Sequence, residues 1–294
     1  MDNRAYLSEF FNQFAYPDEA RERLLTVADV LFSFANDEIQ AIVGAYHYRW
    51  VLNVFLDVED KVCEMAKKAG VHEYEARLIL YALFAQKLKE YYIQQGISLE
   101  IWRDTMQDLR YKMLKCKLIH GVWGSFLRGW FAGFFQLKRF AFGKLEFELK
   151  EFKKTYTKDG ILLIPDSEVV YIHIPRTGEP LTFADQDYAI KKAKEFFEPC
   201  FGTGNKIPFI TGSWLLFPKN KEYLKSGSNL RTFIERFEII DTFEYPDYSQ
   251  TWRIFNRTFT KWEDMPSDTS LQRAYIEIIK KGEKTGGAYG IFFM

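Results

Sequence analysis

Val169-Val170-Tyr171-Ile172-His173-Ile174 runs through Pro175-Arg176-Thr177-Gly178-Glu179-Pro180-Leu181-Thr182 into Phe183-Ala184-Asp185-Gln186-Asp187-Tyr188-Ala189-Ile190-Lys191-Lys192-Ala193. The opening residues are rich in β-branched side chains and predict a strand. Pro and Gly punctuate the loop. Ala189, Ala193 and Phe196 then share one side of a helix predicted over Phe183 to Phe197. A strand that opens through a Gly-containing loop into a helix presents backbone N–H groups and the positive helix end, which together suit an anion. Arg176 adds a forked donor that matches phosphate. The loop holds one Gly and two prolines, so an ordinary strand-to-helix connection is the competing reading. His173 ends the strand on the face of Val169 and Tyr171, opposite Val170, Ile172 and Ile174. A neutral imidazole there can accept a proton from an amine; a half-buried histidine satisfied by its neighbours is the plainer alternative.

Downstream, Phe209 to Phe217 reads as a strand. Gly212 within it suggests a bulge or a close backbone approach by a ligand, and Trp214 can wall a pocket, although core packing is the commoner fate. Gly212-Ser213-Trp214 lacks the second Gly of a hydrolase nucleophile elbow. Tyr223 and Asn229 follow on the next loop and helix; a tyrosine there can act as a general acid. Ser228 to Phe237 reads as a helix whose Arg231, Glu235 and Arg236 form a solvated or ion-paired face. Glu238 to Tyr245 and Trp252 to Thr258 read as strands. Ser270 to Lys281 reads as a helix, capped by Thr269 or Ser270 and stopped by Gly282. Gly282 to Gly290 follows a helix and precedes a strand, the wrong order for a phosphate cradle, and reads as a helix stop and a turn before a strand over Tyr289 to Phe293.

Upstream, Leu145, Phe147 and Leu149 alternate with Glu146, Glu148 and Lys150, the pattern of a half-buried strand. Asp159-Gly160 is a hairpin turn signal, followed by a strand over Ile161 to Ile164. From Leu145 the predicted order is therefore β-β-β-α-β-α-β-β-α-β, a mixed sheet covered by helices. Val122 to Leu137 is aromatic-rich and predicts a helix. Before it, residues 5 to 118 read as helices. Pro17-Asp18-Glu19 suits a helix start. Further helices are expected over Glu38 to Val51, over His72 to Gln94 with Gly96 as its stop, and from Ser98 toward Ile119. The division is a helical part over 1–120 and a mixed part over 121–294.

The chain has 294 residues, about two domains at ~150 residues each. With 47% hydrophobic residues and 18% aromatics it can fill packed cores. Its 40 basic and 40 acidic residues cancel, so the basic excess of a nucleic-acid binder is missing. Cys63, Cys116 and Cys200 lie far apart with no Cys-x-x-Cys pair, which points to a reducing compartment. Met1-Asp2-Asn3-Arg4-Ala5-Tyr6 lacks the apolar core of a signal peptide, and no run of ~18 apolar residues suggests a membrane span. A cytoplasmic location is expected. His47, His72 and His120 have no second ligand at metal spacing, so no metal is expected.

Several separated motifs then fall in a recognisable order. They are His173-Ile174-Pro175-Arg176, Gly178-Glu179-Pro180-Leu181, Ser213-Trp214-Leu215-Leu216 with Pro218, Ser228-Asn229-Leu230 with Phe233 and Arg236-Phe237, Thr269-Ser270-Leu271-Gln272-Arg273-Ala274, and Gly282. In this order the chain resembles bacterial acyltransferase-domain proteins that pair a helical N-terminal domain with a GNAT-like C-terminal domain. The resemblance covers essentially the whole chain, most loosely at its helical start. It implies an α+β fold in which acyl-CoA lies in a split between two adjacent strands. The Arg176-Thr177-Gly178 loop would then hold the CoA pyrophosphate. The usual GNAT loop carries a second small residue where Pro180 and Leu181 stand here, and prolines lack an N–H donor.

The activity so implied is transfer of an acyl group from acetyl-CoA or a longer acyl-CoA to an amine. His173 would be the base, backbone N–H groups at Gly212, Ser213 and Trp214 would hold the oxyanion, and Tyr223 would protonate the leaving thiolate. Asn229 is placed with the cofactor-binding residues. The partners are a small-molecule acyl donor and an amine acceptor, with no nucleic acid and no membrane. The rival reading is a non-catalytic module that binds acyl-CoA or a nucleotide as a sensor; release of free CoA separates the two.

Overall fold

The computed structural model describes residues 3–257, 259 and 261–294. The chain forms two compact units, Met1–Ala141 with Pro175–Gly178, and Phe142–Ile174 with Glu179–Met294.

The first unit is helical: α1 (Asn3–Gln13), α2 (Asp18–Ala45), α3 (Leu52–Lys68), α4 (Glu73–Gln94), α5 (Leu99–His120) and the single turn α6 (Ala132–Phe135). Pro17 stands at the N-cap of α2 with Asp18 and Glu19 in the first turn, as their fit to the helix dipole predicts. The helix expected over Glu38 to Val51 is the second half of α2. Its boundary is a break at Ala35 (φ −145°, ψ 42°), and it ends at Ala45, so that Val51 instead caps α3. Helix α3 had no separate prediction, although Phe55, Val58, Val62 and Ala66 keep helical spacing and are buried. Helix α4 is buried on every side from Leu78 to Ala85 and packs against α1, α2, α3, α5 and α6, which makes it the core of the unit. Ser98 caps α5, and Gly121 ends it in the left-handed conformation (φ 73°).

The helix predicted over Val122 to Leu137 does not form beyond α6. The backbone of this stretch bonds to other helices instead. The Ser125 N–H donates to Tyr74 O at 2.8 Å, the Ser125 carbonyl accepts from Arg77 at 2.8 Å, and the Gly129 N–H donates to the Glu59 carboxylate. Its aromatic richness serves packing. Phe131 and Phe135 lie against Tyr81, and Phe135 also meets Tyr46, Phe55 and Phe84.

In chain order the remaining elements are β1 (Arg139–Phe142), β2 (Leu145–Glu151), β3 (Tyr156–Lys158), β4 (Ile161–Leu163), β5 (Glu168–His173), α7 (Phe183–Phe201), β6 (Pro208–Ser213), α8 (Lys219–Tyr223), α9 (Asn229–Glu235), β7 (Glu238–Glu244), α10 (Trp252–Phe255), α11 (Ser270–Lys280) and β8 (Gly286–Phe293). One sheet runs β1-β2-β5-β6-β8-β7, and β3 and β4 form a separate hairpin. Strands β5 and β6 are parallel and joined by α7, the long crossover that a parallel pair requires. The pairs β2–β5, β6–β8 and β7–β8 are antiparallel. The hairpin packs Phe152, Tyr156, Ile161 and Leu163 against Val169, Ile210 and Ile291 on one face of the sheet.

Two readings are corrected here. Trp252 to Thr258 was expected to be a strand, but Trp252–Phe255 is a helical turn and Asn256 is left-handed (φ 64°); Thr258 lies outside the described residues. Successive Ile254 and Phe255 are both buried, which alternation on a strand does not allow. Gly286 and Gly287, read as a turn, belong to β8, as does Gly290. A Cβ on Gly286 would lie 2.1 Å from Phe243 O, and one on Gly290 would lie 2.8 Å from Phe237 Cβ. These glycines permit close approach within the sheet. Strand β1 had no counterpart in the sequence reading.

Candidate active site

Strand β2 places Glu146, Glu148 and Lys150 opposite His173, Tyr171 and Val169 of β5. Directly opposed residues share a sheet face, so two carboxylates, a lysine, a tyrosine and the histidine stand together. The period-two pattern predicted the strand correctly but put its acidic face in solvent; Glu146 is 1% exposed and Glu148 5%. Glu148 Oε1 lies 2.8 Å from His173 Nε2 and 2.6 Å from Lys150 Nζ. The Lys150 ammonium also sits 4.4 Å over the Tyr171 ring, which tilts against the imidazole at 4.8 Å.

The parallel ladder between β5 and β6 covers Val170↔Phe209 and Tyr171↔Ile210. Beyond it, side-chain hydroxyls join the strands. Thr211 Oγ1 donates to Ile172 O at 2.9 Å. The Gly212 N–H donates to Tyr171 Oη at 2.8 Å, and Tyr171 Oη donates back to Gly212 O at 3.1 Å. The backbone ladder thus ends at Tyr171, two residues before His173 closes β5. A Cβ on Gly212 would lie 2.5 Å from Tyr289 Cε1 and 2.9 Å from Tyr171 Oη. What crowds this glycine is the side chains of these two tyrosines.

The other predicted residues are dispersed. Ser213 Oγ accepts from the Leu215 N–H at 3.2 Å and caps a 3-10 turn over Trp214–Leu216. Trp214 meets Tyr275 edge-on at 5.9 Å and packs with Ile254, Phe255 and Met265, the core fate weighed for it above. Tyr223 Oη donates to Glu283 Oε2 at 2.8 Å, and the Lys281 ammonium lies 4.8 Å over its ring. That hydrogen bond is the main reason the Glu283 carboxyl titrates below its usual range. Tyr223 and His173 therefore belong to separate hydrogen-bonded groups. Asn229 opens α9 with its side chain exposed, and its carbonyl accepts from buried Gln186 at 3.0 Å. Gln186 also bonds Leu181 O and Arg236 Nε, and Arg236 pairs with Asp187, so the ion-paired reading of that helix face holds.

Arg176, Thr177 and Gly178 lie on the loop between β5 and α7, with Gly178 at φ 87°. Arg176 has no ion pair among the described residues. At the start of α7, Thr182 and Asp185 form a capping box. Asp185 Oδ2 accepts from the Thr182 N–H and hydroxyl at 2.9 and 2.6 Å and lies 3.2 Å from Lys144 Nζ. The Thr182 hydroxyl, ahead of Lys144, holds the Asp185 carboxyl below its usual range. The anion at this helix end is the chain's own carboxylate. Sequence reasoning missed Glu148 and Tyr171 as site residues. Alternation marked their faces, but only the β2–β5 register reveals that they meet.

Among the described residues, no group of three or more metal-ligating side chains occurs, and no helix is long and apolar enough to cross a membrane.

A family profile described as an N-acyltransferase N-terminal domain matches residues 5–137, and one described as a GNAT-like C-terminal domain matches residues 139–292. No curated protein matches the chain. Among solved structures, it is similar to an acyltransferase in complex with decanoyl-CoA and teicoplanin. The identity is 18% and the TM-score 0.72, covering 97% of this chain and 86% of that one. It is also similar to a mutant acyltransferase in complex with octanoyl-CoA, at 18% identity and TM-score 0.71, covering 96% of this chain and 86% of that one. A third, an acyltransferase in complex with CoA and 10C-teicoplanin, has 17% identity and TM-score 0.70, with 96% and 86% covered. With a helical N-terminal part followed by a mixed sheet flanked by helices, the chain belongs to the family of N-acyltransferases that carry a GNAT-like C-terminal domain.

Proposed function

We propose that the protein transfers an acyl group from acyl-CoA to an amine, with the acyl-pantetheine arm in the opening between β5 and β6. The observation that supports this reading is the end of the parallel backbone ladder at Tyr171 and Ile210, two residues short of His173. The similar acyltransferases hold octanoyl- or decanoyl-CoA, which supports a medium-length acyl donor here. His173 takes the amine proton as the nitrogen attacks the thioester carbonyl. The oxyanion is assigned to backbone N–H groups at Gly212 to Trp214. Because Tyr171 Oη holds the Gly212 N–H, its hydroxyl is the group a bound thioester displaces. Arg176 takes a CoA phosphate.

The test is thermal unfolding with acetyl-, octanoyl- and decanoyl-CoA, followed by release of free CoA in the presence of amines. A ligand at about 100 times its Kd adds ~2.7 kcal/mol. The stabilisation should disappear in Arg176→Ala. Absence of any shift with all three donors refutes the reading. The self-capped start of α7 favours a second reading, an acyl-CoA sensor without turnover. Stabilisation without release of CoA, across amines of varied structure, would select it.

A further inference from the structure

We infer that Tyr289 and Phe243 form the platform on which the acceptor rests, and that the acceptor is an amine carried on an aromatic ring. The inference rests on the acyltransferase reading given above and adds the substrate class of the same site.

Strand register brings the two rings to the reacting groups. Tyr289 of β8 stands opposite Gly212 of β6, and Phe243 of β7 stands opposite Gly287 of β8. Opposed residues share a sheet face. It is the face of Tyr171, whose hydroxyl a Cβ on Gly212 would also meet, and hence of His173 two residues on. Each ring fills the space above a glycine of the neighbouring strand. A Cβ on Gly212 would lie 2.5 Å from Tyr289 Cε1, and one on Gly287 would lie 2.4 Å from Phe243 Cζ. The rings also meet each other, with centroids 5.9 Å apart and planes at 50°. Lower on the same face the β3–β4 hairpin buries Val169, Ile210 and Ile291, but that cover does not include these two rings. Each remains 39% exposed. They make a continuous aromatic surface from the sheet edge at β7 to Gly212, beside the end of the β5–β6 ladder.

Neighbouring strands lie about 4.8 Å apart, so Phe243 on β7 stands roughly 10 Å from β6. An arylalkylamine spans that distance. Its ring packs on Phe243 and Tyr289, and its nitrogen reaches Gly212 and the thioester. The charges point the same way. A polyamine would need free carboxylates, but Asp241 of β7 pairs with Lys154 and Glu238 with Lys158. Glu244 stands opposite Gly286 and takes the other face by alternation. The platform also suits the cationic end of an arriving amine, since the chain's own Lys154 ammonium lies 5.3 Å over the Tyr289 ring. Lys154 and Asp241 are both exposed, so their pair is weak and can turn aside for a bound ring.

The experiment uses the full chain with octanoyl-CoA as donor and tryptamine, 2-phenylethylamine, ethanolamine or spermidine as acceptor. Release of free CoA should give a kcat/KM about 10-fold or more higher for the two aryl amines, the gain from two aromatic contacts. In Phe243→Leu and in Tyr289→Leu that preference should shrink about 2- to 10-fold. Tyr289→Phe keeps the ring and should shrink it less than Tyr289→Leu. The preference is a ratio within one protein, so partial unfolding of a variant lowers both sides alike and leaves it unchanged. Titration calorimetry of tryptamine, with and without CoA, reads the platform without turnover, and its Kd should rise about 2- to 10-fold in Phe243→Leu. Equal kcat/KM for all the amines, a preference for spermidine, or an aryl preference that survives both leucine variants overturns the inference. If no amine releases CoA, the acyltransferase reading fails by itself. The calorimetry then still decides the platform: a tryptamine Kd unchanged in Phe243→Leu, or no tryptamine binding at all, overturns it.

Discussion

Replacing Gly212 with alanine tests the geometry of the opening between β5 and β6. The new methyl group would sit 2.5 Å from Tyr289 Cε1 and 2.9 Å from Tyr171 Oη. Tyr289 is 39% exposed and can turn aside. Tyr171 cannot do so without giving up both hydrogen bonds to the Gly212 backbone, at 2.8 and 3.1 Å. Overpacking a well-filled site costs about 1–3 kcal/mol, and each lost hydrogen bond adds about 1 kcal/mol. The expected loss is therefore roughly 2–5 kcal/mol, or a fall of roughly 5–15 °C in the melting temperature for a unit of this size. Urea unfolding gives the free energy directly. Tyr171→Phe removes the hydroxyl but leaves the space, so its loss should be smaller, about 1–3 kcal/mol. The double variant decides the mechanism. With the hydroxyl gone, the alanine methyl has room, and the combined loss should fall short of the sum by at least about 0.5 kcal/mol. Gly212→Ala within about 0.5 kcal/mol of wild type, or strict additivity with Tyr171→Phe, refutes the idea that Tyr171 bridges the two strands beyond their ladder.

Two further predictions concern other parts of the molecule. Burial raises the pKa of Glu59 in the helical unit, against the opposing pull of the Tyr81 hydroxyl, the Gly129 N–H and the Arg77 and Arg128 charges. A carboxyl whose folded pKa lies above its unfolded value binds more proton in the folded state, so its contribution to stability falls as pH rises through that interval. Melting temperatures taken from pH 4.5, the ordinary glutamate value, up to neutrality should show this downward term, and Glu59→Gln should remove it; an unchanged slope would contradict the assignment. Tyr223→Phe should cost about 0.5–1.5 kcal/mol by releasing Glu283 and leave kcat nearly unchanged, because the Tyr223 hydroxyl is engaged with Glu283. A tenfold or larger fall in kcat at constant KM would instead make Tyr223 the acid for the leaving thiolate.

Local sequence carried most of the secondary structure. Helix starts were legible because a cap needs a particular side chain at a particular offset, as at Ser98, Thr182, Ser228 and Thr269, whose side chains accept from N–H groups of the first turn. Strand β2 was legible because its apolar and polar residues alternate, and helix α4 because its apolar run is too long for a strand. The change from helices to a mixed sheet follows from the same periods, and the ordered motifs from His173 to Gly282 pointed to the family that the profiles confirm.

What the tertiary structure decided lies wherever a residue's role depends on a partner distant in the chain. The aromatic stretch after Gly121 carries enough apolar residues for a helix, yet its backbone bonds to Tyr74, Arg77 and Glu59 and its rings fill the α4 core. Gly286 and Gly287 looked like turn residues because what crowds them, the backbone and ring of Phe243, comes from another strand. Composition and spacing singled out His173 and Gly212, but not what holds them. The histidine meets Glu148, 25 residues earlier, and the glycine meets Tyr171, 41 residues earlier. Periodicity records which face a side chain takes; strand register, set by the whole sheet, determines which side chains meet on it.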